Sequence, residues 1–253
     1  MAPHRRRPFP LTFVALAATA AAGWYFLVAT EQAMRVMRGD GVFMELMWMM
    51  MRPSAAGPYL GATALMWVVM MIAMMVPAVM PMLIVFRGLN RGPSSGADPL
   101  LFALGYLLAW TSFSIIAALV QWLLHGAGWL GGSLLSLRPL AASAILVFAG
   151  LYQLTPLKNS CLEKCRSPMG YFLANWRDGR LGAIAMGLHH GWFCIGCCWV
   201  LMLIMFVGGA MNVMTMALLT VFIVAERVLP AGPWVARIPG LLLIGWGVVL
   251  AMS

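Results

Sequence analysis

The stretch Cys194-Ile195-Gly196-Cys197-Cys198, with His190 one helical turn before it, carries the strongest chemical signal in the chain. With His190 set at zero on an ideal helix, Cys194 falls near about 40°, Cys197 near about −20° and Cys198 near about 80°. Three thiols and one imidazole therefore share an arc of about 100°. Thiols at i, i+3 and i+4 stand about 5–6 Å apart at Cβ, which suits ligands converging on one soft metal ion. The competing reading is packing, since a buried Cys behaves as a small hydrophobe. A His near a helix start can also cap or snorkel. Gly187, Gly191 and Gly196 on the same segment allow another backbone to approach closely.

Two further groups hold sulfur. The run Met70-Met71-Ile72-Ala73-Met74-Met75-Val76-Pro77, followed by Met80-Pro81-Met82, makes adjacent thioether rows at i, i+4 spacing. Met71, Met74 and Met75 are the candidate ligands there, against the plainer reading of Met as adaptable filler. Pro77 and Pro81 each remove an i→i−4 hydrogen bond, so a kink or opening is expected. Cys161 and Cys165 sit in Lys158-Asn159-Ser160-Cys161-Leu162-Glu163-Lys164-Cys165-Arg166. Their spacing puts both sulfurs on one helix face, and a basic surround favours the thiolate, which is both nucleophile and metal ligand. Two Cys alone do not make a structural zinc site.

What must position these residues is a membrane bundle. The 253 residues are 63% hydrophobic and 9% charged, against roughly 45–50% and about 25% in ordinary soluble domains. That excludes a soluble enzyme, a disordered chain and a disulfide-stapled secreted domain. Sixteen Lys+Arg and seven Asp+Glu give a net charge of +9, read as membrane orientation rather than nucleic-acid binding. The 23 Met and 5 Cys exceed what lipid-facing helices require.

The fold class expected is all-α, a polytopic bundle of about seven spans. These cover Leu11–Ala29, Leu60–Phe86, Leu100–Leu124, Leu137–Leu154, Leu181–Val207, Met211–Val228 and Val235–Met252. The first span, after Arg5-Arg6-Arg7, also fits a signal peptide, but its apolar run continues past Ala20-Ala21-Ala22. Residues 1–59 form a first unit, a span plus a Met-rich outer segment of one or two interfacial amphipathic helices. Residues 60–253 form the metal-binding bundle. With the N-terminus in the cytoplasm, twelve basic residues fall inside and four (Arg35, Arg38, Arg52, Arg138) outside. This positive-inside asymmetry puts the C-terminus outside. Glu226 is the one acid within an apolar run, with Arg227 or Arg237 as its expected partner, serving as an inner gate or an interfacial ion pair.

The combination of these motifs has a family likeness. Met70-Met71-x-Ala73-Met74-Met75-x-Pro77, then Leu154-Thr155-Pro156-Leu157-Lys158 leading to Cys161 and Cys165-Arg166-x-Pro168, then Gly187-x3-Gly191-x2-Cys194-x-Gly196-Cys197-Cys198-Trp199 and Glu226-Arg227 resemble the bacterial family of predicted metal-binding integral membrane proteins. This is a domain of unknown function whose members are sometimes labelled copper-chaperone-like. The resemblance covers Leu60 to Leu250, and the family often has Lys where this chain has Arg227, which preserves the charge. It implies a metal-binding role.

Soft thiolate and thioether ligands select Cu(I). The expected function is therefore Cu(I) binding, delivery or facilitated transfer in a bacterial inner (plasma) membrane. Lipid and a metal-donor or metal-acceptor protein are the partners. Met-rich Phe43–Met51 would collect the ion outside, and Cys161/Cys165 would exchange it inside. No energy-coupling motif points to a pump. The runner-up is a thiol–disulfide conduit using Cys194-Ile195-Gly196-Cys197, which would make the protein an oxidoreductase rather than a non-enzyme. A non-catalytic assembly factor is the third reading. Haem ligation by His125, His189 or His190 lacks a His pair across two mid-membrane helices.

Overall fold

The structure is a computed structural model and describes residues 9–36, 41–90, 99–132, 135–229 and 234–252. Ten helices succeed one another among these residues: α1 (Phe9–Val36), α2 (Val42–Met50), α3 (Ala56–Leu89), α4 (Pro99–Gly126), α5 (Pro139–Gln153), α6 (Pro156–Arg166), α7 (Pro168–Asn175), α8 (Gly179–Gly208), α9 (Val213–Val228) and α10 (Trp234–Met252). A minimal antiparallel hairpin, β1 (Leu130–Gly131) and β2 (Ser136–Leu137), joins α4 to α5. The protein is all-α apart from that turn.

Each of the seven apolar segments expected from the sequence is a helix. Among the described residues, four helices (α1, α3, α4 and α8) are long and apolar enough to cross a membrane. A fifth crossing arises if α5 and α6, which meet at 64°, form one broken span. Seven spans are not reached on length. The 16-residue α9 also carries Glu226 and Arg227, and the apolar part of α10 is confined to Ala236–Met252. Arg5, Arg6, Arg7, Arg38 and Arg91, which contribute to the charge asymmetry, lie outside the described residues.

Glycine lets the long helices touch backbone to backbone. A Cβ on Gly187 of α8 would fall inside the Phe102 carbonyl of α4, and one on Gly105 would strike the Ile184 carbonyl of α8. Gly150 of α5 and Gly240 of α10 make the same kind of contact, and Ser143 Oγ donates to the Gly247 carbonyl at 2.8 Å. Replacing Gly187 by Val should therefore separate α4 from α8 and cost about 3 kcal/mol or more, on the scale of severe overpacking. Loss of a cooperative unfolding transition in detergent is the expected readout.

α3 runs unbroken from Ala56 to Leu89 through Pro77 and Pro81; the expected opening does not occur. Its first half is tied to α4 by Trp67 Nε1, which donates to Gln121 Oε1 at 2.7 Å, and by Tyr59 Oη with His125 Nδ1 at 3.1 Å. α1 joins the bundle where the Glu31 carboxylate accepts the Val213 N–H at the start of α9 at 3.3 Å.

Within the outer Met-rich segment one short helix forms, with one side buried and the other exposed. α2 is short and helical, but Leu46, Met47 and Met50 are buried, and Phe43 packs on Phe26 of α1 with ring centroids 5.6 Å apart. Met47 and Met50 are core side chains, so they cannot belong to an exposed collecting surface. The helix turns its apolar face onto α1 and α3, because that burial keeps Met out of water.

Candidate metal centre

α8 presents Cys194, Cys197 and Cys198 on one face, all buried. The Cys197 and Cys198 thiols both turn back onto the Cys194 carbonyl, at 3.1 and 2.9 Å. That local bond is the i→i−3/i−4 pattern available to a short polar side chain within a helix. The face predicted from spacing is thus realised.

Its neighbour was not foreseen. Arg227 leaves α9 and brings Nη2 to 2.7 Å from Cys194 Sγ, 3.8 Å from Cys197 Sγ and 4.0 Å from Cys198 Sγ. One nitrogen of a fixed cation therefore stands at the point shared by the three sulfurs. Arg227 Nη1 reaches the Ala78 carbonyl of α3 at 3.3 Å, and Tyr106 Oη of α4 hydrogen-bonds Cys194 Sγ at 2.9 Å. Four helices meet at this sulfur cluster.

α6 completes it. Thr155 caps this helix, its hydroxyl accepting the Lys158 N–H at 3.3 Å, and Pro156 opens the first turn. The Cys165 thiol is buried and lies beside Cys197. Half-exposed Cys161 lies over Gly196, where an added Cβ would be 3.0 Å from its sulfur. All five cysteines are free thiols gathered at one junction of α6 and α8.

His190 lies next to this cluster. Its ring stacks on Tyr106 at 5.9 Å, packs beside Phe102 at 6.0 Å and meets Tyr171 edge-on at 5.1 Å. Among the described residues neither buried ring nitrogen has a hydrogen-bond partner, an arrangement that usually costs free energy. Tyr171, outside the long helices, donates its hydroxyl to the Met186 carbonyl at 2.7 Å, and burial raises its phenol above the ordinary value.

Met71, Met74 and Met75 are fully buried in α3. They precede Ala78 by seven, four and three residues, so they share the helix face on which Arg227 takes its carbonyl. Met74 stands about 6 Å along the axis from Ala78.

Glu226 also departs from expectation. Its partner is neither Arg227 nor Arg237 but Lys158 of α6, with Nζ at 2.5 Å from Oε1 and side-chain exposures of 0% and 2%. Gln153 Nε2 approaches the same oxygen at 3.4 Å, and Arg166 Nε donates to the Glu226 carbonyl at 2.6 Å. Arg237 instead lies over the Trp234 ring at 5.7 Å. This buried pair fixes α6, and with it Cys161 and Cys165, against the end of α9.

Among the described residues, no three His, Cys, Asp or Glu side chains are arranged to hold a metal ion. The reason is local: a sulfur ligand must come to about 2.3 Å of a metal such as zinc, whereas two of the three sulfurs stand near 4 Å from their shared point, which Arg227 fills. Sequence reasoning missed Arg227 and Tyr106 as members of the site. The sequence model of the PpoB2 copper chaperone family matches residues 64–250, which contain every one of these groups. The chain belongs to this copper chaperone family. No curated protein and no solved structure matches it.

Proposed function

We propose that this member of the copper chaperone family is a multi-pass protein of a bacterial inner membrane that holds Cu(I) through Cys194, Cys197 and Cys198 and delivers it to a protein partner. The observation that carries the reading is the convergence of three buried thiols on one point already occupied by a cationic nitrogen. Soft sulfur selects Cu(I) over harder ions. An arriving ion replaces the guanidinium, and the thiols close by about an ångström or more to reach bonding distance. Met71, Met74 and Met75 are transfer ligands on the neighbouring helix, and His190, whose ring nitrogens have no partner among the described residues, is an additional donor. The protein acts as a carrier rather than an enzyme.

In the proposed topology the N-terminus, Cys161 and Cys165 are cytoplasmic and the C-terminus is outside. The twelve-to-four distribution of basic residues supports it. α5, α9 and α10 then complete seven crossings, the shorter ones adapted by local thinning of the bilayer. A reducing cytoplasm keeps the five thiols free for metal. A reporter fused at the C-terminus should be active only outside; cytoplasmic activity there would invert or shorten the bundle.

The direct test is purification in reducing detergent buffer followed by mass spectrometry of bound metals. Copper at or above one ion per chain is expected, and zinc or iron in its place would sink the proposal. The proximity of Cys165 to Cys197, and of the three α8 sulfurs to one Arg227 nitrogen, also favours a second reading, a thiol–disulfide conduit. That reading requires a disulfide that forms and breaks during turnover, whereas Cu(I) binding requires every sulfur reduced.

The thioethers carry a prediction of their own. Replacing Met71, Met74 and Met75 together by Leu conserves volume and should cost under about 1.5 kcal/mol per site. Copper stoichiometry should persist while Cu(I) loss to a competing chelator slows. Unchanged kinetics in folded protein would return these residues to packing.

A further inference from the structure

The contacts between α6 and α8 carry the argument beyond a single three-thiol site. Cys161 and Cys165 are one turn apart on the face of α6 that meets α8, the first half-exposed and the second buried. Cys165 lies beside Cys197, and Cys161 occupies the space that the missing side chain of Gly196 leaves open. α6 is held in that position by Lys158 on Glu226 and by Arg166 on the Glu226 carbonyl, while Tyr152 of α5 donates its hydroxyl to the Gly196 carbonyl of α8.

We propose that Cys161, Cys165 and Cys197 form a second thiol position for the ion, and that Cys197 is shared with the inner position made by Cys194 and Cys198. The five thiols then form one path from the half-exposed Cys161 to buried Cys194, and its inner end is filled by Arg227 when no ion is present. This rests on the reading of the cargo as Cu(I). Each step along the path is a ligand exchange. One Cu–S bond forms as another breaks, the incoming thiol releases its proton, and the departing sulfur takes one up. Copper remains Cu(I), and no electron moves. A shared sulfur lets the ion pass without ever being released to water or lipid.

The experiment uses the full chain in reducing detergent, loaded with Cu(I) and mixed rapidly with a chromogenic Cu(I) chelator. C161S/C165S should keep copper at the inner position but release it about tenfold more slowly. Gly196→Ala retains all five thiols and suits a helix, yet its Cβ must push the Cys161 sulfur aside. It should slow release as well. C194S/C198S should still take up copper at the outer position and lose it rapidly. Release at the wild-type rate from C161S/C165S, or no uptake by folded C194S/C198S, overturns the proposal. If C161S/C165S does not fold, the rate for Gly196→Ala decides, with wild-type release counting against the path. A wild-type protein that takes up no Cu(I) overturns the copper reading itself.

Discussion

Replacing Cys194, Cys197 and Cys198 together by Ser should abolish copper retention while leaving the bundle folded. Ser keeps nearly the size of Cys, and its hydroxyl can make the bond that Cys198 already makes to the Cys194 carbonyl at 2.9 Å. Arg227 keeps a hydrogen-bond acceptor at each position, so the guanidinium is not orphaned. The hydroxyl oxygen is a hard, neutral ligand that does not compete for Cu(I) as a thiolate does. Metal content after gel filtration should fall to background, with cooperative thermal unfolding retained. Full copper stoichiometry in a folded triple variant would place the metal elsewhere.

The second large effect concerns stability. Lys158 and Glu226 are both buried and face each other at 2.5 Å. Lys158→Met leaves the Glu226 carboxylate, among the described residues, with only Gln153 Nε2 at 3.4 Å as a side-chain hydrogen-bond donor. Removing one member of such a pair costs about 3–5 kcal/mol, because the remaining charge stays buried. The double replacement Lys158→Met/Glu226→Met removes both charges and should be close to neutral, or more stable by about 1–4 kcal/mol. Unfolding titrations in a denaturing detergent measure the three variants. A double variant as unstable as Lys158→Met alone would show that the pair is not the fastening between α6 and α9.

These two results depend on features of very different legibility in the sequence. The seven apolar segments are helices because a long apolar run has few other ways to satisfy its backbone. The common face of Cys194, Cys197 and Cys198 followed from helix geometry alone, which is fixed within one element. Partners between elements were not legible. Glu226 and Arg227 are adjacent in sequence, which invited pairing, yet consecutive residues on a helix diverge by about 100°. Glu226 accordingly faces α6 and Lys158, while Arg227 faces α8 and the thiols. That divergence was the available signal. An arginine inside an apolar helix, turned away from its neighbouring acid, needs another buried partner. The burial of Met47 and Met50 was equally hidden, since the sequence does not show that α2 folds back onto α1 and α3.

The central claim is that Cu(I) replaces the Arg227 guanidinium among the α8 thiols. X-ray absorption at the copper K-edge, on reduced wild-type protein loaded with one ion per chain, tests it most directly. The account predicts a Cu(I) edge with a first shell dominated by sulfur. A shell dominated by nitrogen or oxygen, or one unchanged in the Cys194, Cys197 and Cys198 triple Ser variant, would contradict it.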